Sequence, residues 1–164
     1  MSVPGGNGTF LTSVVVGNTG GGSIQVGSVM DPSAWVEDTY RIRFTAPGSF
    51  DVIDSASNTV STGSYTSGNA IEFRGVRVSI EGAPATGDEF EVATANRGNL
   101  FSMLDSLVAT LESRTATAPE KARFATEVGN GLAGLDGAID HLLQVRAKVG
   151  ARLSAIEATA NARL

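Results

Sequence analysis

One pattern limits this chain more than any other. Large apolar residues recur at Val128, Leu132, Leu135, Ile139, Leu142, Val149, Leu153 and Ile156, with Arg146 filling the one remaining position of the series. The steps alternate four and three, which is the heptad seam of a helix that lies along another helix. No proline follows Pro119. A helix from about 119 to 162 is therefore predicted, a rod of roughly 65 Å at 1.5 Å per residue.

The element before the rod is short. Phe101, Leu104, Leu107, Val108 and Leu111 form one apolar stripe at steps of three and four. They predict a helix over about 99–112, with Asn96 or Asn99 as its N-cap. The stretch "SRTATAPE" breaks the pattern. Thr117 and Glu120 then have the spacing of a capping box, and Pro119 fits a first helical turn. Folded back, the short helix covers only the first third of the rod. From Ile139 onward the seam has no partner in this sequence, and each exposed side chain forgoes roughly 1.5–3 kcal/mol of burial. The partner is then another segment or another chain. Gly129, Gly131, Gly134 and Gly137 each cost about 1 kcal/mol inside a helix, so either the backbone approaches a neighbour closely there, the favoured reading, or the helix is broken.

Residues 1–98 follow a different grammar, rich in Gly, Ser, Thr and Val. "TYRIRFT" alternates, with Tyr40, Ile42 and Phe44 on one face and Arg41 and Arg43 on the other, as in a half-buried antiparallel strand. "FLTSVVVG" and "SIQVGSV" read as strands, and "SFDVID" with "NTVSTGSY" as a hairpin. "AIEFRGVRVSI" reads as one strand interrupted by a bulge at Gly75. A Pro/Gly turn leads to a last strand through Phe90 and Val92. The N-terminus, "MSVPGGNGTF", reads as a linker, without the charged and apolar regions of a secretory signal. The predicted class is α+β: an antiparallel β-rich outer domain over 1–96, then a helical hairpin over 97–164 with one long C-terminal rod.

Composition narrows the function. Aromatic residues are 6% of the chain, which predicts a core mostly of aliphatic residues and Ala. The net charge of −5 and the lack of a Lys/Arg cluster argue against nucleic acid or an anionic membrane as partner. No apolar stretch approaches the ~20 residues that span a bilayer. Cysteine is absent, which removes thiol chemistry and Cys metal sites.

Three stretches together resemble a known family: "IEFRGVRVSIEGAPATGDEFEV", the short-helix segment "NLFSMLDSLVATL", and "VRAKVGARLSAIE" in the rod. The run G-V-x-V-x-I-x-G-x-P-x-x-G-D-x-F-x-V from Gly75 to Val92 and the run R-A-x-x-G-A-R-L from Arg146 to Leu153 carry the likeness. They resemble the flagellar hook-associated protein 3 family, the hook–filament junction proteins related to flagellin. The resemblance covers Thr39 to Leu164, with Ser154 where the family often has Asn. It implies a structural subunit of the bacterial flagellum, extracellular and exported without a cleaved signal peptide. Its implied partners are neighbouring hook-associated protein, flagellin, further copies of itself in a ring or tube, and an export chaperone. It also implies a long N-terminal helix that pairs with the C-terminal one, so the chain is expected to be a fragment without the terminal regions.

Other candidate residues favour plain readings. His141 is the only histidine and lies off the seam beside Asp140, a solvent-facing position rather than a metal or catalytic site. Gly87, Asp88 and Glu89 suit a hairpin turn better than a calcium site, which needs six or more oxygens. Arg41, Arg43, Arg74 and Arg77 are expected to pair across strands with acids. Trp35 is expected to pack. Arg146 either lays its stem in the seam or meets an acid on the partner helix. No catalytic motif occurs, so neither enzymatic activity nor a cofactor is expected. The predicted assembly seam is Val128, Leu132, Leu135, Ile139, Leu142, Arg146, Val149, Leu153 and Ile156. The alternative function is a secreted adhesin or fibre module, with a β binding head on a helical stalk.

Overall fold

The computed structural model of the chain describes residues 2–4, 7–95, 97–112 and 116–161, with side chains over 7–95, 105–112 and 116–158. Among the described residues eleven strands precede two helices: β1 (Ser2–Pro4), β2 (Phe10–Val14), β3 (Ser23–Ile24), β4 (Ser28–Val29), β5 (Thr39–Ala46), β6 (Ser49–Ile53), β7 (Thr59–Ser64), β8 (Ala70–Phe73), β9 (Val76–Glu81), β10 (Glu89–Thr94), β11 (Arg97–Asn99), α1 (Leu100–Glu112) and α2 (Ala118–Asn161). This is the α+β arrangement that the change of composition predicts.

The strands form antiparallel sheets. One runs β2-β10-β5-β6-β7, a second joins β3, β4 and β8 to β9, and β1 pairs with β11. Alternation decides which face is buried. In β5, Tyr40, Ile42 and Phe44 are buried while Arg41, Arg43 and Thr45 are exposed. In β9, Val76, Val78 and Ile80 turn inward, and Arg77 turns out. The buried faces of the two larger sheets share one core.

Four sequence expectations need correction. Among the described residues the core is mainly aliphatic but holds no Ala and many more aromatics than expected: Phe10, Tyr40, Phe44, Phe50, Phe73 and Phe90 are buried in it beside eight Ile and Val residues. Trp35 packs beside them, with ring centroids 5.7 Å from Phe10 and 5.6 Å from Tyr40. A low average aromatic content conceals this concentration. Gly75 marks no bulge. Arg74 (φ 45°) and Gly75 (φ 74°) are the two central residues of a tight hairpin turn, with Phe73 paired to Val76. Glycine is required there, because a Cβ would run into the carbonyl of Asp31. "SIQVGSV" is two short strands, β3 and β4, rather than one. The N-terminal stretch is not simply a linker, since Ser2–Pro4 pairs with Arg97–Asn99.

Both helices have the predicted starts. Asn99 directly precedes α1, while Asn96 and the side chains of Phe101 and Leu104 lie outside the described residues. At α2 the capping box closes: the Thr117 N–H donates to Glu120 Oε2 at 2.8 Å, and the Glu120 N–H donates to Thr117 Oγ1 at 3.4 Å. These bonds hold the Glu120 carboxyl below its ordinary value, the Thr117 N–H contributing most and that of Ala116 next.

Candidate assembly surface

The rod uses two faces, and each follows from its sequence spacing. The first is a row of small residues four apart: Ala122, Thr126, Asn130, Gly134 and Ala138. Steps of four stay close to one side of a helix, and small side chains let it approach another element closely. This row meets the β sheets. Thr126 is buried and its hydroxyl accepts the Ile24 N–H at 3.1 Å. The Asn130 amide donates to the Thr12 carbonyl at 2.6 Å, and its oxygen accepts the Thr12 hydroxyl at 3.2 Å. Thr12 lies on β2, an edge strand of the five-stranded sheet. Asn130 thus supplies a partner to an edge whose backbone groups would otherwise face solvent. The large apolar residues do not mark this face. The step-four run of small residues is the signal for it.

The second face is the heptad seam, and most of it is bare. Val128 and Leu135 are half-buried, whereas Leu132 is 56% exposed, Ile139 58%, Leu142 54%, Val149 59%, Leu153 56% and Ile156 65%. Arg146 is exposed too, and among the described residues it makes no ion pair. From residue 139 to 158 every side chain is exposed. The expectation that α1 covers the first third of the rod holds only in part. A Cβ on Gly131 would lie 2.7 Å from Leu107 Cδ1, so α1 comes close at that glycine. Leu132, one residue further and about 100° around the helix, stays open. The close-packing reading of the glycines holds at Gly131 but not at Gly137, where a Cβ would meet nothing within 4 Å.

Flanking this seam, Leu143 and Val145 are 53% and 43% exposed. The open stretch from Leu132 to Ile156 is about 36 Å long at 1.5 Å per residue. No helix among the described residues is long and apolar enough to cross a membrane.

The β portion has a different character. Arg43 and Glu89 face each other across β5 and β10 and bond at 2.6 Å; Arg77 and Glu72 do the same across β9 and β8. Arg41 sits 3.9 Å from both Glu89 and Glu91. These are the cross-strand pairs that alternation predicts, and at the surface such pairs contribute little. Arg74 instead occupies the tight turn. Asp88 belongs to the turn before β10, yet it is only 2% exposed. Its carboxylate accepts the N–H groups of Thr19 (2.8 Å), Gly20 (3.0 Å) and Ala85 (2.8 Å), clamping the glycine-rich loop to that turn. His141 is exposed on the rod. Among the described residues no three His, Cys, Asp or Glu side chains converge as a metal site.

No protein-family model matches the sequence, and no curated protein does. Solved structures do match. The chain is similar to Xanthomonas campestris FlgL, with 34% identity and a TM-score of 0.87, over 96% of this chain and 51% of that one. It is similar to the flagellar junction protein FlgL from Legionella pneumophila, with 31% identity and a TM-score of 0.92, over 99% of this chain and 54% of that one. A structure of flagellar hook associated protein-3 from the same organism gives 31% identity and a TM-score of 0.92, over 99% and 53%. The chain spans about half the length of these relatives. None of them supports the adhesin or fibre-module alternative. Over the half of a member's length that it spans, the chain belongs with the flagellar hook-associated protein 3 family.

Proposed function

We propose that this chain is part of a structural subunit of the bacterial flagellum, external to the cell at the hook–filament junction, and that it acts by helix packing without catalysing a reaction. The observation that carries this reading is the open seam from Leu132 to Ile156, on a fold shared with flagellar junction proteins. Apolar side chains left in water on one stripe mark an interaction site. Burying that stripe supplies a driving force for assembly that needs no chemistry.

The surface assigned to assembly is Val128, Leu132, Leu135, Ile139, Leu142, Arg146, Val149, Leu153 and Ile156. Its first occupant is a long helix from the part of the parent protein outside this chain. The β-rich portion, residues 1–96, faces outward from the helical portion, residues 97–164. Neighbouring hook-associated protein, flagellin and further copies of the same subunit in a ring or tube are the assembly partners. A chaperone accompanies export, which uses no cleaved signal peptide.

A chimera tests the proposal. This chain replaces the matching segment of Xanthomonas campestris FlgL in cells lacking that protein, and filament attachment is scored by electron microscopy. Attached filaments are expected, and they should be lost with Leu142→Asp plus Leu153→Asp. A chimera that is exported but never holds a filament defeats the junction assignment. One that tolerates both aspartates defeats the role of the seam.

A further inference from the structure

A bare heptad seam invites a second copy of itself, and this one has the apolar pattern for it. In heptad terms Ile139, Arg146 and Leu153 are a positions, and Leu142, Val149 and Ile156 are d positions. In an antiparallel pair each a residue faces a d residue of the partner. One register then sets Ile139 against Ile156, Leu142 against Leu153 and Arg146 against Val149, the same on both sides of a two-fold axis between Ala147 and Lys148. Every apolar layer in that register is well matched.

The charges oppose it. Each Arg146 lies one and a half residues from the axis, so the two guanidinium stems sit about 4.5 Å apart along the seam. At the flanks, Asp136 of one copy comes level with Glu157 of the other. No carboxylate of either copy lies within a turn of Arg146. A parallel in-register pair is worse, since it places Arg146 directly opposite Arg146. Each antiparallel or parallel pairing in these registers therefore brings like charge together without a counter-ion, which opposes the apolar layers around it.

We infer that Arg146 keeps a second copy of this chain off the seam and reserves the seam for a different helix, one that carries a carboxylate at the Arg146 level. The inference rests on the exposed seam and its charges, not on the junction assignment, and it stands or falls separately. Its logic is that of a polar residue in an apolar seam, which selects the partner at a cost in stability. The full chain exposes the seam already, and Arg146 is itself exposed, so its substitution leaves the fold intact.

Sedimentation equilibrium on four samples tests this. The unaltered chain and Arg146→Glu should each remain monomeric. Arg146→Leu should self-associate at least about tenfold more tightly than the unaltered chain, because the like-charge contact is replaced by an apolar layer. An equal mixture of the unaltered chain and Arg146→Glu should form a heterodimer, since arginine then meets glutamate at the axis. The register is checked with single cysteines, which this cysteine-free chain permits. Ile139→Cys on the unaltered chain and Ile156→Cys on the Arg146→Glu chain should form a disulfide in the mixture. If the unaltered chain dimerises as tightly as Arg146→Leu, Arg146 excludes nothing. If the mixture associates no more than its components, the carboxylate requirement is wrong.

Discussion

The β core and the distal rod both carry large apolar side chains and put them to opposite uses. In the β portion Phe10, Ile42, Val52, Ile80, Phe90 and Val92 are fully buried, and the charged residues between them pair across strands on the outer face. In the rod from 139 to 158 every side chain is exposed, although Ile139, Leu142, Leu153 and Ile156 are as apolar as any core residue. Two sheets of period-two strands can close on each other within one chain. A single helix with a heptad stripe cannot, because its stripe faces one way along its whole length. The first region is a finished fold. The second leaves its apolar stripe in water, and most of a helix's stability in a protein comes from packing such a stripe.

The contrast breaks most easily by truncation. Phe90→Ala should cost ~3–5 kcal/mol, since Phe90 is fully buried against Phe44 with ring centroids 5.8 Å apart. Leu153→Ala should change stability by less than about 0.5 kcal/mol, as an exposed position does. Urea unfolding of the two variants decides it, and equal losses would mean that the rod is covered. Next in size is Asp88→Ala. It strands three backbone donors in a buried turn and should cost about 2–3 kcal/mol. The same unfolding curves check it, and a neutral result would show that the loop finds other partners.

Smaller effects sharpen the boundary between the two regions. Gly137→Ala should stabilise by about 1 kcal/mol, because the helix gains propensity and the new Cβ meets nothing. Gly131→Ala should show none of that gain, because its Cβ pushes on Leu107. Thermal unfolding of the pair reads the difference; an equal rise in Tm would place α1 away from Gly131. The smallest effect concerns acid. The Thr117 and Ala116 N–H groups favour the charged form of Glu120 and depress its pKa. The stability they contribute is complete above the ordinary glutamate range and is lost as pH falls through the depressed value. An acid titration followed by far-UV circular dichroism should show loss of helix that is flattened in Glu120→Gln. Identical profiles would remove the capping carboxylate from the account.

Local rules carried much of this fold into view. The capping box at Thr117, the alternation of β5, the β6–β7 hairpin and the heptads of α2 each depend on residues within a few positions of one another. What stayed hidden depends on distance or on an unusual choice. Arg74-Gly75 turns a hairpin that Asn-Gly would have announced, because arginine seldom accepts a positive φ. Asp88 reads as a turn residue, since its partners Thr19 and Gly20 lie some seventy positions away. Asn130 looks like an ordinary polar helix residue until β2 is brought beside it. The seam itself was legible residue by residue. The exposure of Leu132 was not, because Leu107 of α1 comes up to Gly131, on a different side of the rod.

The docking of α2 on the sheets has a mechanical consequence. Thr126 and Asn130 anchor the rod near one end, and Ile156 lies 26 residues beyond Asn130, about 39 Å away at 1.5 Å per residue. The rod is therefore a lever, held at its base by these two side chains together with the buried Ala122 and Ala138 and by α1. A tilt of one degree at Asn130 displaces the level of Ile156 by about 0.7 Å over that length, and a few degrees would shift a seam side chain by half a helical turn. Small rotations of the β portion are thus delivered to the far end of the rod as larger displacements.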